Sequence, residues 1–134
     1  MMGRISRSIL NQLQKSFTSA GCDLSVEQWL LLVHLQGGDG QIHQQLAQGT
    51  YRDKTTISRL LDGLEKRGLV ERVQDSADRR QKRVLIMPEG KKLIKRLRPL
   101  ALKIQNRAME NIEQRELDLC SNVLSRIFKN ISST

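Results

Sequence analysis

The segment from Asp53 to Gly90 constrains the fold of this chain more than any other, because a helix and two strands follow one another directly within it. Apolar residues recur at helical spacing from Ile57 to Leu64, which predicts an amphipathic helix with one buried face. Asp53 is suited to be the N-cap of this helix, and Gly68 is suited to follow its last turn.

The same segment continues into two predicted strands, LVERV (residues 69–73) and RVLIM (residues 83–87). The connection between them is too long for a tight turn and too polar for a core, so it predicts a projecting loop, or wing. The tip reads DSADRRQKR and carries four Lys and Arg side chains within five residues. A helix with a cationic outer face beside a basic hairpin is typical of winged helix-turn-helix proteins that bind DNA.

Helices are also predicted on the N-terminal side of this segment. Residues 4–19 carry a narrow apolar stripe at helical spacing. The next helix begins at Ser25, which can form a capping box with Gln28, and it is apolar almost all round. A short helix is predicted over residues 41–48, so that three helices precede the wing in the helix-turn-helix order.

Two more helices are predicted after the wing. The first begins at Pro88, because proline suits the first turn of a helix. Pro99 is expected to kink or break this helix, because proline removes a backbone donor and crowds the preceding turn. The last helix lies near residues 114–131 and has an apolar seam that includes Cys120.

These elements predict a mainly α fold with a small β-wing, in which a winged helix-turn-helix core is flanked by N- and C-terminal dimerisation helices. We predict a single domain over residues 1–134, with the DNA-binding region at residues 25–90. The flanking helices, in residues 4–20 and 91–131, have narrow apolar faces that little else in one chain can cover. Such helices usually pair with a second copy, so these regions are predicted to form a homodimer.

The positive charge of the chain lies in one block. The net charge is +9 over 134 residues. Residues 52–107 contain 17 Lys and Arg but seven Asp and Glu, a net charge of +10, whereas the rest of the chain has six and seven. This segregation favours a polyanionic partner over a basic surface that only promotes solubility. Aromatic residues make up only 3% of the chain, which argues against a stacking platform for single strands.

The N-terminal half of the predicted recognition helix carries the side chains expected to contact double-stranded DNA. Short polar and cationic residues there suit phosphate oxygens and base edges. Arg59 is the leading candidate for direct base contact, because arginine is the commonest bidentate partner of guanine. The alternative is an ordinary solvated helix face. The predicted DNA-binding residues of this helix are Arg52, Lys54, Thr55, Thr56, Ser58 and Arg59.

The wing is predicted to contribute Arg79, Arg80, Lys82 and Arg83 to DNA binding, because the negative potential of a narrow minor groove attracts arginine. A solvated charge run is the alternative. Two acids in the same loop, Asp75 and Asp78, are interpreted as residues that position the wing arginines through ion pairs.

Residues 25–90 resemble the MarR family of bacterial transcriptional regulators. The resemblance rests on DKTTISRLLDGLEKRGLVER and on DSADRRQKRVLIMPEG, in which Asp75, Asp78 and Arg80 match an Asp-x-x-Asp-x-Arg pattern of the wing. It implies a homodimer, joined through its terminal helices, that binds a pseudo-palindromic operator. It further implies a repressor relieved by a small ligand or an oxidant. Met87 and Pro88 depart from the family pattern, which usually has Leu-Thr there.

The resemblance also implies where an effector would act. Trp29 and His34 lie on the helix that would face a ligand cleft, although a core tryptophan and an ordinary histidine are the stronger interpretation. Cys22 precedes a capped helix, whose N-terminus lowers a thiol pKa, so it is a candidate redox residue; a structural cysteine is again the stronger interpretation.

Other functional classes find little support. No nucleophile with a paired base and no phosphate loop is present, so an enzyme is not expected, and no cofactor or metal is predicted. Without an apolar run long enough to span a membrane, the protein is expected in the cytoplasm. The alternative function is a winged-helix protein–protein interaction module without sequence-specific DNA binding, which would have a less basic wing.

Overall fold

The computed structural model describes residues 1–38, 40–50 and 52–132. The chain forms two compact units, residues 1–104 and residues 105–134. The elements in the described part are α1 (Met2–Ser19), α2 (Val26–Gln36), β1 (Gln41–Ile42), α3 (His43–Thr50), α4 (Lys54–Lys66), β2 (Val70–Gln74), β3 (Lys82–Ile86), α5 (Pro88–Ala108) and α6 (Gln114–Ser132). The predicted mainly α fold with a small β-wing is confirmed.

The three strands form an antiparallel sheet in the order β1-β3-β2, so β3 is the central strand. Val70 pairs with Ile86 at the base of the hairpin, and Gln74 pairs with Lys82 at its outer end. The sequence analysis assigned residues 41–42 to a helix, and this was wrong. Gln41 pairs with Val84 instead, so β1 attaches the segment before α3 to the wing.

The helix α2 lies at the centre of the core of the first unit. Leu32 and Leu35 are completely buried, and Trp29 is 5% exposed. The Trp29 ring meets Phe17 of α1 edge to face, with ring centroids 5.5 Å apart. The helix is not apolar all round in its contacts, however, since Leu30 is 43% exposed. Leu30 therefore lies on the side of α2 that the first unit leaves open.

The start of α2 and the middle of α4 meet at a glycine. The hydroxyl of Ser25 accepts a hydrogen bond from the amide of Gln28 over 3.1 Å, and the Gln28 side chain accepts one from the amide of Ser25 over 3.2 Å. The predicted capping box is thus confirmed. A β-carbon at Gly63 would lie 2.7 Å from Nε2 of Gln28. Glycine inside α4 therefore provides the space that this glutamine occupies.

A second glycine lets α5 begin close to the sheet. The predicted start at Pro88 is confirmed, and the amide of Met87 just before it donates to the carbonyl oxygen of Leu69 over 2.9 Å. A β-carbon at Gly90 would collide with that same carbonyl group and would lie 3.0 Å from Cγ2 of Ile86. The first turn of α5 therefore packs directly on the backbone at the start of β2.

The helix α5 continues through Pro99 from Pro88 to Ala108, so the predicted break does not occur. Pro99 is exposed, so its missing N–H leaves no hydrogen bond unmade in the core. Apolar residues on the opposite side, Ile94 and Leu97, are buried and hold this part of the helix.

The second unit contains α6, and within it no residue of this helix is buried. Its apolar side chains keep helical spacing, with Val123 41% exposed and Ile127 41% exposed. Cys120 is exposed, not packed as the sequence analysis expected. An amphipathic helix that leaves this whole face open has a surface suited to burial against another element.

Candidate nucleic-acid interface

An aspartate cap fixes the start of α4. The Asp53 carboxylate accepts a hydrogen bond from the amide of Thr56 over 2.6 Å, as the sequence predicted. This bond is the main cause that lowers the pKa of Asp53 below its usual range. Because the cap occupies the first turn, Lys54 and Thr55 project from the exposed end of the helix.

The outer face of α4 brings several of the predicted DNA-binding residues together. Lys54, Thr55, Ser58 and Arg59 line one shallow depression, together with Asp62. The Arg59 side chain is 69% exposed. The inner face of the same helix is buried in the core through Ile57, Leu60, Leu61 and Leu64. The helix therefore presents hydroxyl and cationic groups to solvent along one side, which is what a recognition helix needs.

Glu27, which the sequence analysis did not single out, lies beside two of these arginines. Its carboxylate oxygens are 3.7 Å from Nη1 of Arg52 and 3.9 Å from Nη2 of Arg59. Glu27 is the second residue of α2, next to the capping serine. The spacing of the sequence gives no sign of this contact, because it joins residues that are distant along the chain.

The base of the wing is built around a buried carboxylate. Asp75 is only 5% exposed, and Nε of Arg83 donates to it over 2.7 Å. The pKa of Asp75 is lowered, chiefly by this hydrogen bond. Arg83 also donates to the carbonyl oxygen of Gly40 over 2.7 Å, and the amide of Asp75 donates to the carbonyl oxygen of Gln81 over 3.0 Å. Arg83 thus connects the wing to the segment that precedes β1.

The tip of the wing is more open. Arg80 donates from its amide and from Nε to the Asp78 carboxylate, over 3.0 Å and 3.2 Å, yet its side chain is 91% exposed. Arg79 and Lys82 are exposed and form no ion pair with any acid in the described part of the chain. Of the four predicted wing cations, Arg83 alone has its guanidinium engaged at the base of the wing, while the other three project outward.

A further arginine, missed by the sequence analysis, ties the wing to α4. Nη2 of Arg72 lies 2.6 Å from the Asp62 carboxylate, and Nε lies 3.0 Å from the Glu65 carboxylate. The Arg72 amide also donates to Glu65 over 3.1 Å. These contacts lower the pKa of Glu65 and raise that of Arg72, first through the hydrogen bond between them. With a side chain only 17% exposed, Arg72 fixes β2 against the recognition helix.

One pocket, of about 310 Å³, lies where the wing, α3 and α4 come together, and we call it the wing-base pocket. Lys54 of α4 and Arg80 and Lys82 of the wing line it. Its remaining lining residues are Ile42, His43, Gln44 and Gln81. Cations predicted separately, one on the helix and two on the wing, are therefore gathered around a single cavity.

The candidate effector residues do not share a cavity. Trp29 packs in the core against Phe17. His34 lines a smaller cavity of about 190 Å³ together with Glu27 and Arg52, and its ring lies so close to Gly49 that a β-carbon there would be 2.6 Å from Nε2. Cys22 is 5% exposed and belongs to the core cluster.

The described residues contain no group of three or more side chains that could hold a metal ion. None of the described helices combines the length and the apolar character that crossing a bilayer requires.

The geometry is that of a winged helix-turn-helix transcriptional regulator, and comparison with known proteins agrees. Residues 23–81 match the model of the MarR family. The crystal structure of the transcriptional regulator PA3341 superposes with a TM-score of 0.85 at 32% identity, covering 99% of this chain and 96% of that one. A MarR-family regulator from Silicibacter pomeroyi gives a TM-score of 0.82 at 31% identity, covering 97% and 86%.

A similar sequence is YybA of Bacillus subtilis (strain 168), named an uncharacterized HTH-type transcriptional regulator. It is 29% identical over 109 residues, which are 81% of this chain and 73% of YybA. The chain therefore belongs to the MarR family of transcriptional regulators, and it is not an enzyme.

Proposed function

We propose that this regulator binds double-stranded DNA in a sequence-specific manner, with α4 in the major groove and the wing on the flanking minor groove. The observation that carries this proposal is the wing-base pocket, where Lys54 of α4 faces Arg80 and Lys82 of the wing. A helix and a hairpin that converge with cations at their junction can follow one phosphate backbone while each enters a groove. Residues 25–90 would form this DNA-binding region.

Arg59 is proposed to contact bases, and Lys54, Thr55, Thr56 and Ser58 to contact bases or phosphates. Arg79, Arg80 and Lys82 would contact the minor groove or its backbone. Arg52 would reach a phosphate after exchanging its contact with Glu27. The engagement of Arg83 with Asp75 and Gly40 supports a role in bracing the wing rather than in contacting DNA.

We further propose that the functional form is a homodimer that uses residues 4–20 and 91–131. The exposed apolar face of α6 supports this, and so do Met2 and Ile5 of α1, which are 61% and 52% exposed. Two copies would place recognition helices in successive major grooves of a pseudo-palindromic operator, about one helical turn apart. Size-exclusion chromatography with light scattering tests the dimer directly, and a monomer at micromolar concentration would contradict it.

The dimer is proposed to act in the cytoplasm as a repressor released by a small ligand. Cys22 is buried, which disfavours direct oxidation as the releasing event. The cavity lined by His34 is the candidate effector site. It contains Arg52, so an occupant there would disturb the start of the recognition helix.

A titration of labelled DNA from the upstream region of the protein's own gene tests the function, against a scrambled duplex of equal length and composition. We expect Arg59→Ala to weaken binding by about 1–3 kcal/mol and to relax base preference, and Arg80→Ala to reduce the salt dependence by about one ion per wing. Lys95→Ala, on the exposed side of α5, is the matched control and should bind normally. Equal affinity for both duplexes at every salt concentration would instead favour the interaction-module alternative.

A further inference from the structure

The wing-base pocket has an unusual electrostatic composition for a cavity on a protein surface. Three of its lining side chains, Lys54, Arg80 and Lys82, are cationic, and no carboxylate lines it. Lys54 and Lys82 form no ion pair within the described part of the chain. Like charges that converge without a counter-charge repel one another, and an anion in the cavity would relieve this repulsion.

The helix α3 adds a second source of positive potential. His43 and Gln44, its first two residues, line the same pocket. The amide groups at the start of a helix are not used within the helix and carry a partial positive charge, so they favour phosphate groups. The cations and the start of α3 therefore act on the same cavity.

His43 is the one buried side chain in the described residues whose polar atom has no partner. Its Nε2 is enclosed and forms no hydrogen bond. Leaving a buried nitrogen unpaired is unfavourable, and a ligand oxygen within reach would remove that penalty. Burial is the main cause that lowers the pKa of His43, and the charges of Arg72 and Lys82 lower it further, while that of Asp62 opposes them.

The charged groups around His43 come from three elements. The helix α4 contributes Lys54 and Asp62, β2 contributes Arg72, and the wing contributes Arg80 and Lys82. Asp62 is itself paired with Arg72 at 2.6 Å. With cations in excess, the imidazole is neutral at pH 7 while the pocket is empty, and an arriving anion would favour its protonated form.

We propose that the wing-base pocket is a phosphate-binding site, in which Lys54, Arg80 and Lys82 supply the charge and His43 becomes a proton donor to the bound phosphate. This extends the proposed DNA-binding function, on which it rests. In the complex the occupant is a phosphate of the DNA backbone, and free inorganic phosphate competes for the same place. Binding of the phosphate group is then accompanied by the uptake of one proton at His43.

The two histidines of the chain provide a direct measurement. The full-length, ¹⁵N-labelled protein is titrated with potassium phosphate at pH 7, with potassium chloride at equal ionic strength as the reference. We expect the imidazole nitrogen signals of His43 to shift in a saturable manner towards the protonated form, while those of His34 stay in place. No saturable shift, or equal shifts at both histidines, would overturn the site.

Matched variants separate the pocket from general positive charge. Lys82→Gln should weaken phosphate binding about tenfold, because it removes one of the converging charges. Lys95→Gln, which removes an equal charge from α5 away from the pocket, should leave it unchanged. His43→Gln, checked for folding by circular dichroism, should weaken phosphate binding and abolish proton uptake. If Lys82→Gln and Lys95→Gln behave alike, the pocket is not the site.

A DNA arm distinguishes this proposal from the proposed function. If duplex DNA shifts His43 as phosphate does, and phosphate displaces the duplex more effectively than chloride, both are supported. If the duplex binds but leaves His43 unperturbed, the pocket proposal fails and DNA binding stands. If phosphate shifts His43 but no duplex binds, the DNA-binding function fails, and the pocket stands as a site for free phosphate alone.

Discussion

Nε of Arg83 donates a hydrogen bond to the carboxylate of Asp75 over 2.7 Å, and the acid is almost completely buried while the arginine is half exposed. The same arginine reaches the carbonyl oxygen of Gly40. Two residues of the wing are thereby held at its base, and the more exposed cations of the tip are carried on a braced hairpin.

The first prediction concerns this brace. Asp75→Asn should weaken DNA binding about tenfold, because the wing must then be ordered when DNA binds, at a cost of about 1 kcal/mol. The measurement is fluorescence anisotropy with a labelled duplex. Asp78→Asn is the control, since Asp78 contacts the exposed Arg80 at the tip and should produce a smaller loss. Equal losses in the two variants would contradict a special role for the buried acid.

The second prediction concerns Glu27, whose carboxylate competes with DNA for Arg52 and Arg59. Glu27→Gln should tighten DNA binding about threefold at low salt, and the gain should shrink as salt screens the removed charge. Binding isotherms at several salt concentrations measure this. Glu89→Gln removes an equal charge that is paired with Lys92 on α5, and it should change affinity less. Weaker binding by Glu27→Gln would show instead that Glu27 positions the arginines for contact.

The third prediction concerns the acid sensitivity of the recognition helix. The pKa of Asp53 is lower in the folded chain than its usual value, because the Thr56 amide hydrogen-bonds to the charged form. Its stabilising contribution is therefore present above about pH 4 and is lost as the pH falls through the lowered pKa. The difference in Tm between the wild type and Asp53→Ala should shrink between pH 6 and pH 3.

Asp23→Ala serves as the control for this comparison. Asp23 is 90% exposed and pairs with Arg67, so its removal tests the loss of one surface carboxylate without the loss of a helix cap. A Tm difference for Asp53→Ala that stayed constant over the whole pH range would contradict the role of the charged carboxylate in the cap.

The fourth prediction concerns the start of α5. Gly90→Ala should lower the free energy of unfolding by about 1–3 kcal/mol, because its methyl group would collide with the Leu69 carbonyl and press on Ile86. Gly3→Ala is the control. Gly3 lies in α1 with no neighbour near its would-be β-carbon, so that substitution should be neutral or stabilising by up to about 1 kcal/mol. Urea denaturation measures both, and an unchanged midpoint for Gly90→Ala would contradict the tight packing.

Local signals in the sequence were sufficient for most of the secondary structure. Ser25 and Gln28 are three residues apart, so their capping box could be predicted from spacing alone, and Asp53 could be predicted as a cap in the same way. The strand at Gln41 could not, because it exists only through pairing with Val84. Pro99 was overestimated as a helix breaker, because its effect depends on exposure, which the spacing of residues does not reveal.

The candidate site shows the same division. The residues on the outer face of α4 follow from the helical period, once the inner face is known. The partners of the arginines do not: Arg72 with Asp62 and Glu65, or Arg52 with Glu27, are side chains brought together by the fold. His43 gave no signal in the sequence, because an enclosed and unpaired nitrogen is a property of packing.

The contact between Gln28 and Gly63 has a consequence for how this protein can diverge. A side chain at position 63 removes the space for a long amide at position 28, so the capping box at the start of α2 and the composition of α4 cannot change independently. Positions 28 and 63 should therefore covary among related regulators, with a residue larger than glycine at 63 accompanied by a shorter one at 28. The recognition helix would then inherit a constraint from a residue that never approaches DNA.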